Sequence, residues 1–373
     1  MKKTKFDHLK TDAATHAGLV GKQNEDRYAV TSYFVGKNHD IPATFAVLCD
    51  GIGGHRAGEV AAEMGVSIIT EAVQVGDPSY PLITLRNAIS RASRAIFQAS
   101  QTDHGREGMG STCACAWVIG NLLYTANLGD SRIYLMRKRH LVQLTTDHTW
   151  VQEALDAGMI LDVEGENHPN AHVIRRYLGS ENDPETDFRL WFFENESDAD
   201  ALENQGFRLE QGDVILLCSD GLTDLVSDEE IRDAIMAFPG EKVPNLLIDI
   251  ANQRGGHDNT TIILMSFVGR PTSQRKVNRK RRWLVGCLMG LIAISAIAVA
   301  VAAGYSWWQG KLDGMEKSLP TEALTIPASF PMPEETVISS PTSEISVTAQ
   351  PTPSTVPPQP TRTPWPTNTT SDG

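Results

Sequence analysis

Five apolar runs in this sequence stop at, or start from, a carboxylate. Asp50 closes the apolar run of "AVLCDGIGGH", Asp130 closes "LLYTANLGD" and Asp220 closes the apolar run of "DVILLCSDG". Asp258 precedes the run in "GGHDNTTIIL", and Glu25 and Asp26 precede the one in "KQNEDRYAV". Taken singly, each reads as an Asx turn, a helix cap or an ion-pair partner. Gathered at one edge of a fold they would repel strongly, so either several are protonated or cations lie among them. Oxygen ligands with no Cys or His favour hard ions, Mg²⁺ or Mn²⁺, over zinc. Two such ions can acidify a shared water and clamp phosphoryl oxygens during in-line displacement. In "SDGLTD", Asp224 follows Asp220 by four positions, one helical turn, so both can reach one ion. The adjacent glycines let backbone carbonyls approach as well.

A dinucleotide fingerprint fits the glycine-rich turn poorly, because the sixth position counted from Gly51 is Arg56. No GxxxxGK[ST] phosphate loop occurs.

The elements that must hold these residues follow from hydrophobic period. Residues 57–74 and 82–101 have helical spacing, the second with Leu85, Ala88, Ile89, Ala92, Ile96 and Ala99 on one face. Short strands follow in "TCACAWVI", "NLLYTAN", "RIYLMR" and "LVQLT", with turns at Gly120-Asn121, Gly129-Asp130 and Lys138-Arg139. Residues 149–180 read as an inserted flap. A strand at 213–219, helices at 227–238 and near 243–254, and a strand at 260–268 complete the region. Blocks of strands and helices without regular alternation point to α+β layers with antiparallel sheets.

The chain has 373 residues, and its net charge of -13 speaks against nucleic acid as a partner. The five cysteines show no zinc spacing, and Cys113 and Cys115 read as small core residues on one strand face. Residues 270–282 carry seven Lys/Arg and no acid, and from Trp283 to Gly310 no charged residue occurs. That span is long enough to cross roughly 30 Å of hydrocarbon as a helix. Its flanking tryptophans suit the interfaces, and the basic block places the preceding region in the cytoplasm. Twelve of the 20 prolines lie from Pro320 onward, among Thr and Ser, which predicts an extended, disordered tail outside. The expected division is a catalytic region 1–268, a basic linker 269–282, a single transmembrane helix 283–308 and a tail 309–373.

The segments "QNED", "CDGIGGH", "GSTCACA", "NLGDSRIYL", "LTTDHTWVQEALDAG", "HPNAHVIRRYLG", "GDVILLCSDGLTDLVSDEE" and "GGHDNTTIIL" occur in that order across residues 18–268. Together they resemble the PPM-type, PP2C-like metal-dependent protein phosphatases of bacteria. The resemblance implies an αββα sandwich of two antiparallel sheets flanked by helices. It implies hydrolysis of phosphoserine and phosphothreonine in proteins by a metal-activated water, with Mn²⁺ or Mg²⁺ as cofactor. Asp26, Asp50, the Gly51 carbonyl, Asp220 and Asp258 would hold two ions, with Asp130, Asp220 and Asp224 around a weaker third. His55 would give a proton to the leaving hydroxyl. Partners would be serine/threonine kinases or their phosphorylated substrates.

One position departs from the family pattern. The arginine usual five residues before the aspartate of "NED" is Gly21 here, with Lys22 beside it. Lys22 offers the substrate phosphate a point charge without the two-donor fork of Arg. Arg175 and Arg176 are candidates for compensation, although surface ion pairs explain them more simply. Gly21 therefore keeps open a second reading, a catalytically weak scaffold, and a third is a phosphatase of small metabolites.

Overall fold

A computed structural model describes residues 8–21, 23–53, 57–165, 168–193 and 195–268. The strands are β1 Leu9–His16, β2 Arg27–Val35, β3 Ile41–Cys49, β4 Gly51–Ile52, β5 Gly110–Ser111, β6 Cys113–Ile119, β7 Leu122–Leu128, β8 Arg132–Arg137, β9 His140–Gln143, β10 Phe207–Arg208, β11 Val214–Cys218 and β12 Thr260–Phe267. The helices are α1 Ala57–Val75, α2 Pro81–Thr102, α3 Trp150–Asp156, α4 Asp162–Gly165, α5 Asp198–Glu203, α6 Asp220–Thr223, α7 Asp228–Ala237 and α8 Val243–Gln253.

Two five-stranded antiparallel sheets form, in the orders β10-β7-β6-β3-β2 and β1-β12-β11-β8-β9, and β4 pairs with β5. Central strands buried on both faces read as continuous apolar runs rather than alternating ones, as β3 and β6 do. Phe45, Val47 and Cys49 of β3, with Cys113, Cys115 and Trp117 of β6, face α1 and α2. The alternate residues Ala46, Leu48, Ala114, Ala116 and Val118 face the other sheet, meeting Ile133, Leu135, Ile215, Leu217, Ile263 and Met265. The outer face of that second sheet, with Leu216, Cys218, Ile262 and Leu264, is covered by Ile231, Val243 and Leu247 of α7 and α8. The result is the expected αββα layering.

The two long helices start and end within a residue of expectation. Proline at the first position opens α2, where its missing N–H costs nothing. Ser227 and Glu230 form a reciprocal cap on α7. The sulfurs of Cys113 and Cys115 lie 3.5 Å apart, on one strand face, and both residues are buried free thiols. The strand β1 and the short elements β10 and α5 were not expected. The transmembrane span, the basic linker and the tail lie outside the described residues. Among the described residues no helix is long and apolar enough to cross a membrane.

Candidate metal centre and substrate cleft

Strand register brings the carboxylates together. Arg27 pairs with Cys49, so Asp26 and Asp50 leave the same end of neighbouring strands. In the other sheet Cys218 pairs with both Ile262 and Arg132, which sets Asp220 and Asp258 at one end and Asp130 beside them. Asp130 sits on the short link between β7 and β8, where the chain passes from one sheet to the other. One end of the sandwich thus collects Asp26, Asp50, Asp130, Asp220 and Asp258.

Main-chain bonds hold Asp50 rigidly. Its N–H donates to Thr112 Oγ1 at 2.9 Å, and its carbonyl accepts from Thr112 N and Ser111 Oγ, both at 2.8 Å. The Asp26 carboxylate accepts from Ser219 Oγ at 2.8 Å. Asn259, just before β12, ties down the segment between β1 and β2, accepting from Glu25 N at 2.7 Å and donating to Ala17 O at 3.1 Å. Two glycines permit the crowding. A Cβ on Gly51 would meet the Gly58 backbone at 2.4 Å, and one on Gly221 would meet Asn259 O at 2.1 Å. Since both obstacles are backbone, Gly221→Ala is expected to cost about 2 kcal/mol through overpacking. It should also weaken Mn²⁺ binding by spreading Asp220 from Asp258. Thermal unfolding in EDTA and a Mn²⁺ titration check the two effects.

Burial and mutual repulsion raise these carboxyls. Burial pushes Asp26 up to about 6, with the charge of Asp258 adding to it. Asp220 rises to about 7 through burial and the charges of Asp224, Asp258 and Asp26. Asp50 and Asp130 are pushed well above the ordinary carboxylate value, first by burial and then by neighbouring aspartates. Asp26 Oδ1 and Asp130 Oδ1 are buried and find no hydrogen-bond partner among the described residues. Buried acceptors left in this state are rare and costly. Carboxylates that repel one another, two of them with a buried oxygen that no donor among the described residues reaches, fit hard divalent cations.

A cleft of about 960 Å³ opens beside them, lined by Asp130, Asp220, Asp224 and Asp258. Asp26 and Asp50 do not line it; they join it through Asp220, whose carboxyl interacts directly with that of Asp50. Arg132 forms part of the wall, its Nε and Nη2 bonded to Asp147 Oδ2 at 3.0 and 2.8 Å. His172, from the flap, has a ring nitrogen grouped with carboxylate oxygens of Asp220 and Asp224, all within 4.8 Å of one another. Arg175 pairs with Glu153 at 3.0 Å on the surface, the simpler of the two roles weighed for it. Gly21 has a φ of +76° and open space around its Cβ position. Lys22 and His55 lie outside the described residues.

A brace behind Asp130 was not foreseen. Gly129 N donates to His148 Nδ1 at 3.1 Å, and His148 Nε2 lies 3.2 Å from Asp187 Oδ2. Burial alone would raise Asp187, but His148 and Arg189 hold it well below the usual carboxylate range. "TTDHTW" sits in the sequence as a visible motif, whereas Asp187 lies 39 positions later and carries no local signal.

Comparison with known proteins agrees with this architecture. The family model described as Protein phosphatase 2C matches residues 13–154. Protein phosphatase PhpP of Streptococcus pneumoniae is 33% identical over 252 residues, covering 66% of this chain and 94% of that protein. The chain belongs to the protein phosphatase 2C family. It is a metal-dependent serine/threonine protein phosphatase. Serine/threonine protein phosphatase PstP of Mycobacterium tuberculosis is 34% identical over 262 residues, 70% of this phosphatase and 45% of that protein. A crystal structure of the PstP catalytic domain in complex with two manganese ions overlays with a TM-score of 0.56 at 32% identity, covering 70% of this phosphatase and 98% of that chain.

Proposed function

We propose that this chain is a membrane-anchored phosphatase that hydrolyses phosphoserine and phosphothreonine in proteins at a two-metal site. The observation that carries the reading is the gathering of five carboxylates, four of them raised by burial and mutual charge, beside an open cleft. Asp26, Asp50, the Gly51 carbonyl, Asp220 and Asp258 hold two ions, Mn²⁺ or Mg²⁺, and Asp130 and Asp224 extend toward a weaker third. When bound, these ions supply an acidified water and positive charge for the phosphoryl oxygens. The protein's own part is placement. Thr112 and Ser111 fix Asp50, Ser219 fixes Asp26, and the His148–Asp187 brace fixes the Gly129–Asp130 turn. His55 protonates the leaving hydroxyl, and Lys22 gives the substrate phosphate a point charge.

The proposed division keeps residues 1–268 as the catalytic region, 269–282 as a basic linker, 283–308 as the single membrane span and 309–373 as an outer tail. Seven Lys/Arg just before an uncharged apolar stretch support a cytoplasmic catalytic region at the cell membrane. A phosphatase so placed acts on substrates of serine/threonine kinases, or on the kinases themselves.

The test is phosphate release from a phosphothreonine peptide by the full-length chain, with Mn²⁺ and with EDTA. Mn²⁺-dependent release is expected; its absence favours the scaffold reading that Gly21 supports. Gly21→Arg, in the same assay, is expected to lower KM. It should also cost about 1 kcal/mol, because a side chain is strained at positive φ. An unchanged KM would mean that other groups already grip the phosphate.

A further inference from the structure

The flap segment that carries His172 is stitched to the start of α3. Arg175 N donates to His148 O at 2.7 Å, and Trp150 N donates to Val173 O at 2.8 Å. Thr149 and Ile174 form an isolated antiparallel bridge, and the His168 ring stacks on Trp150 with centroids 4.6 Å apart. These contacts fix the backbone on both sides of His172 at the rim of the acidic cleft.

The ring of His172 turns toward α6. Its Nδ1 lies 3.7 Å from Asp224 Oδ2, too far for a hydrogen bond. Neighbouring ligands of an octahedral ion lie about 3 Å apart and opposite ones about 4 Å. The three ligand atoms of His172, Asp220 and Asp224, all within 4.8 Å of one another, approach that spacing. A second observation at the same cleft points to a cation. Asp130 is only 6% exposed, and its Oδ1 has no hydrogen-bond partner among the described residues. Its charge is felt together with those of Asp220 and Asp224. A buried acceptor in this state requires a positive partner or a donor.

We infer that His172 is a ligand of the weaker third ion, with Asp220 and Asp224 beside it and Asp130 on its buried side. This rests on the metal-dependent reading of the cleft and adds a nitrogen donor to a site expected to be all oxygen. The consequence is chemical. Imidazole suits Mn²⁺ better than Mg²⁺, so the third position discriminates between the two ions while the all-oxygen pair does so less. The competing account is a solvent-exposed His172–Asp224 ion pair with side chains 72% and 45% exposed, an arrangement that contributes little.

The experiment is a titration of the full-length chain with Mn²⁺ alone, followed by electron paramagnetic resonance with detection of nitrogen hyperfine coupling. Two tight ions without nitrogen coupling, then a third weaker ion with it, are expected. His172→Ala should abolish the coupling and weaken the third site at least about tenfold, leaving the tight pair intact. The Mn²⁺ over Mg²⁺ preference of the third site should shrink with it. His257, which also lines the cleft, is a control: His257→Ala should keep the coupling. Coupling that survives His172→Ala, or a third-site affinity that does not change, overturns the inference and leaves the ion pair. Two bound ions and no third overturn the inference alone. No bound Mn²⁺ at all overturns the metal-dependent reading and this inference with it.

Discussion

Asp50→Asn yields a folded, more thermostable metal-free protein that releases phosphate with Mn²⁺ at least about a thousandfold more slowly, the equivalent of about 4 kcal/mol of lost transition-state stabilisation. The two effects have opposite signs because one carboxylate serves two states. Without metal, Asp50 is a buried acid pressed by Asp26, Asp220 and Asp130, and its carboxyl is held well above the ordinary value. Asparagine keeps the shape and removes the charge. The backbone bonds to Thr112 and Ser111 do not involve the side chain and survive. With metal, the same substitution deletes a charged ligand from the centre of the cluster. Thermal unfolding in EDTA at pH 8, and turnover across a Mn²⁺ titration, measure both. Asp213 is the contrasting case. It is buried too, but it is paired with Arg137 Nη2 at 2.6 Å and accepts from Glu210 N at 2.7 Å. Asp213→Ala should cost about 3 kcal/mol of stability by breaking a buried pair, with the cleft chemistry retained. If Asp50→Asn keeps full Mn²⁺-dependent turnover, the two-metal assignment fails.

The strand-end aspartates were legible in the sequence because each marks the place where an apolar run stops and a turn begins, a local signal. The long helices were legible for the same reason: a stripe of apolar residues on one face survives without knowledge of its partner. β1 was not, because of its eight residues only Leu9 is buried. Its identity as a strand comes from pairing with β12, from Leu9↔Phe267 to His16↔Thr260, which no local pattern encodes. α5 did carry a readable sign, the reciprocal Ser197–Asp200 cap, but it is too short to show a hydrophobic period. His172 and the His148–Asp187 brace were illegible for a different reason. Each depends on a loop returning to the sandwich through backbone bonds, so the residues meet across tens of positions with no spacing to read. Gly21 lay between these cases. Its departure from the family pattern was visible, whereas its positive φ, which makes a simple return to arginine strained, belongs to the backbone alone.

Metal-free protein should lose stability steadily as pH rises from about 5 to 8, and Mn²⁺ should cancel the loss. Asp26 and Asp220 have folded-state values raised to about 6 and about 7, above the ordinary 3.8. A raised carboxyl binds its proton more tightly in the native state than in the unfolded one. Its contribution is therefore complete below the ordinary value and disappears as pH climbs through the folded value. With at least two such groups titrating between pH 5 and 8, the decline is on the order of 3 kcal/mol, or about 10 °C in melting temperature. Asp187, lowered by its partners, has the opposite sign: its contribution is lost only as pH falls below the ordinary carboxylate range, outside this window. Mn²⁺ takes the place of the protons. Binding near pH 6 must release them, whereas binding near pH 8 releases fewer and stabilises more. Scanning calorimetry in EDTA and in Mn²⁺ across this range gives the first quantity. Titration calorimetry in buffers of different ionisation enthalpy gives the second. A metal-free melting temperature that is flat or rising from pH 5 to 8, with a Mn²⁺ increment independent of pH, would mean that the carboxylates are not crowded enough to need a cation. The strongest physical reason for placing metal at this end of the sandwich would then be gone.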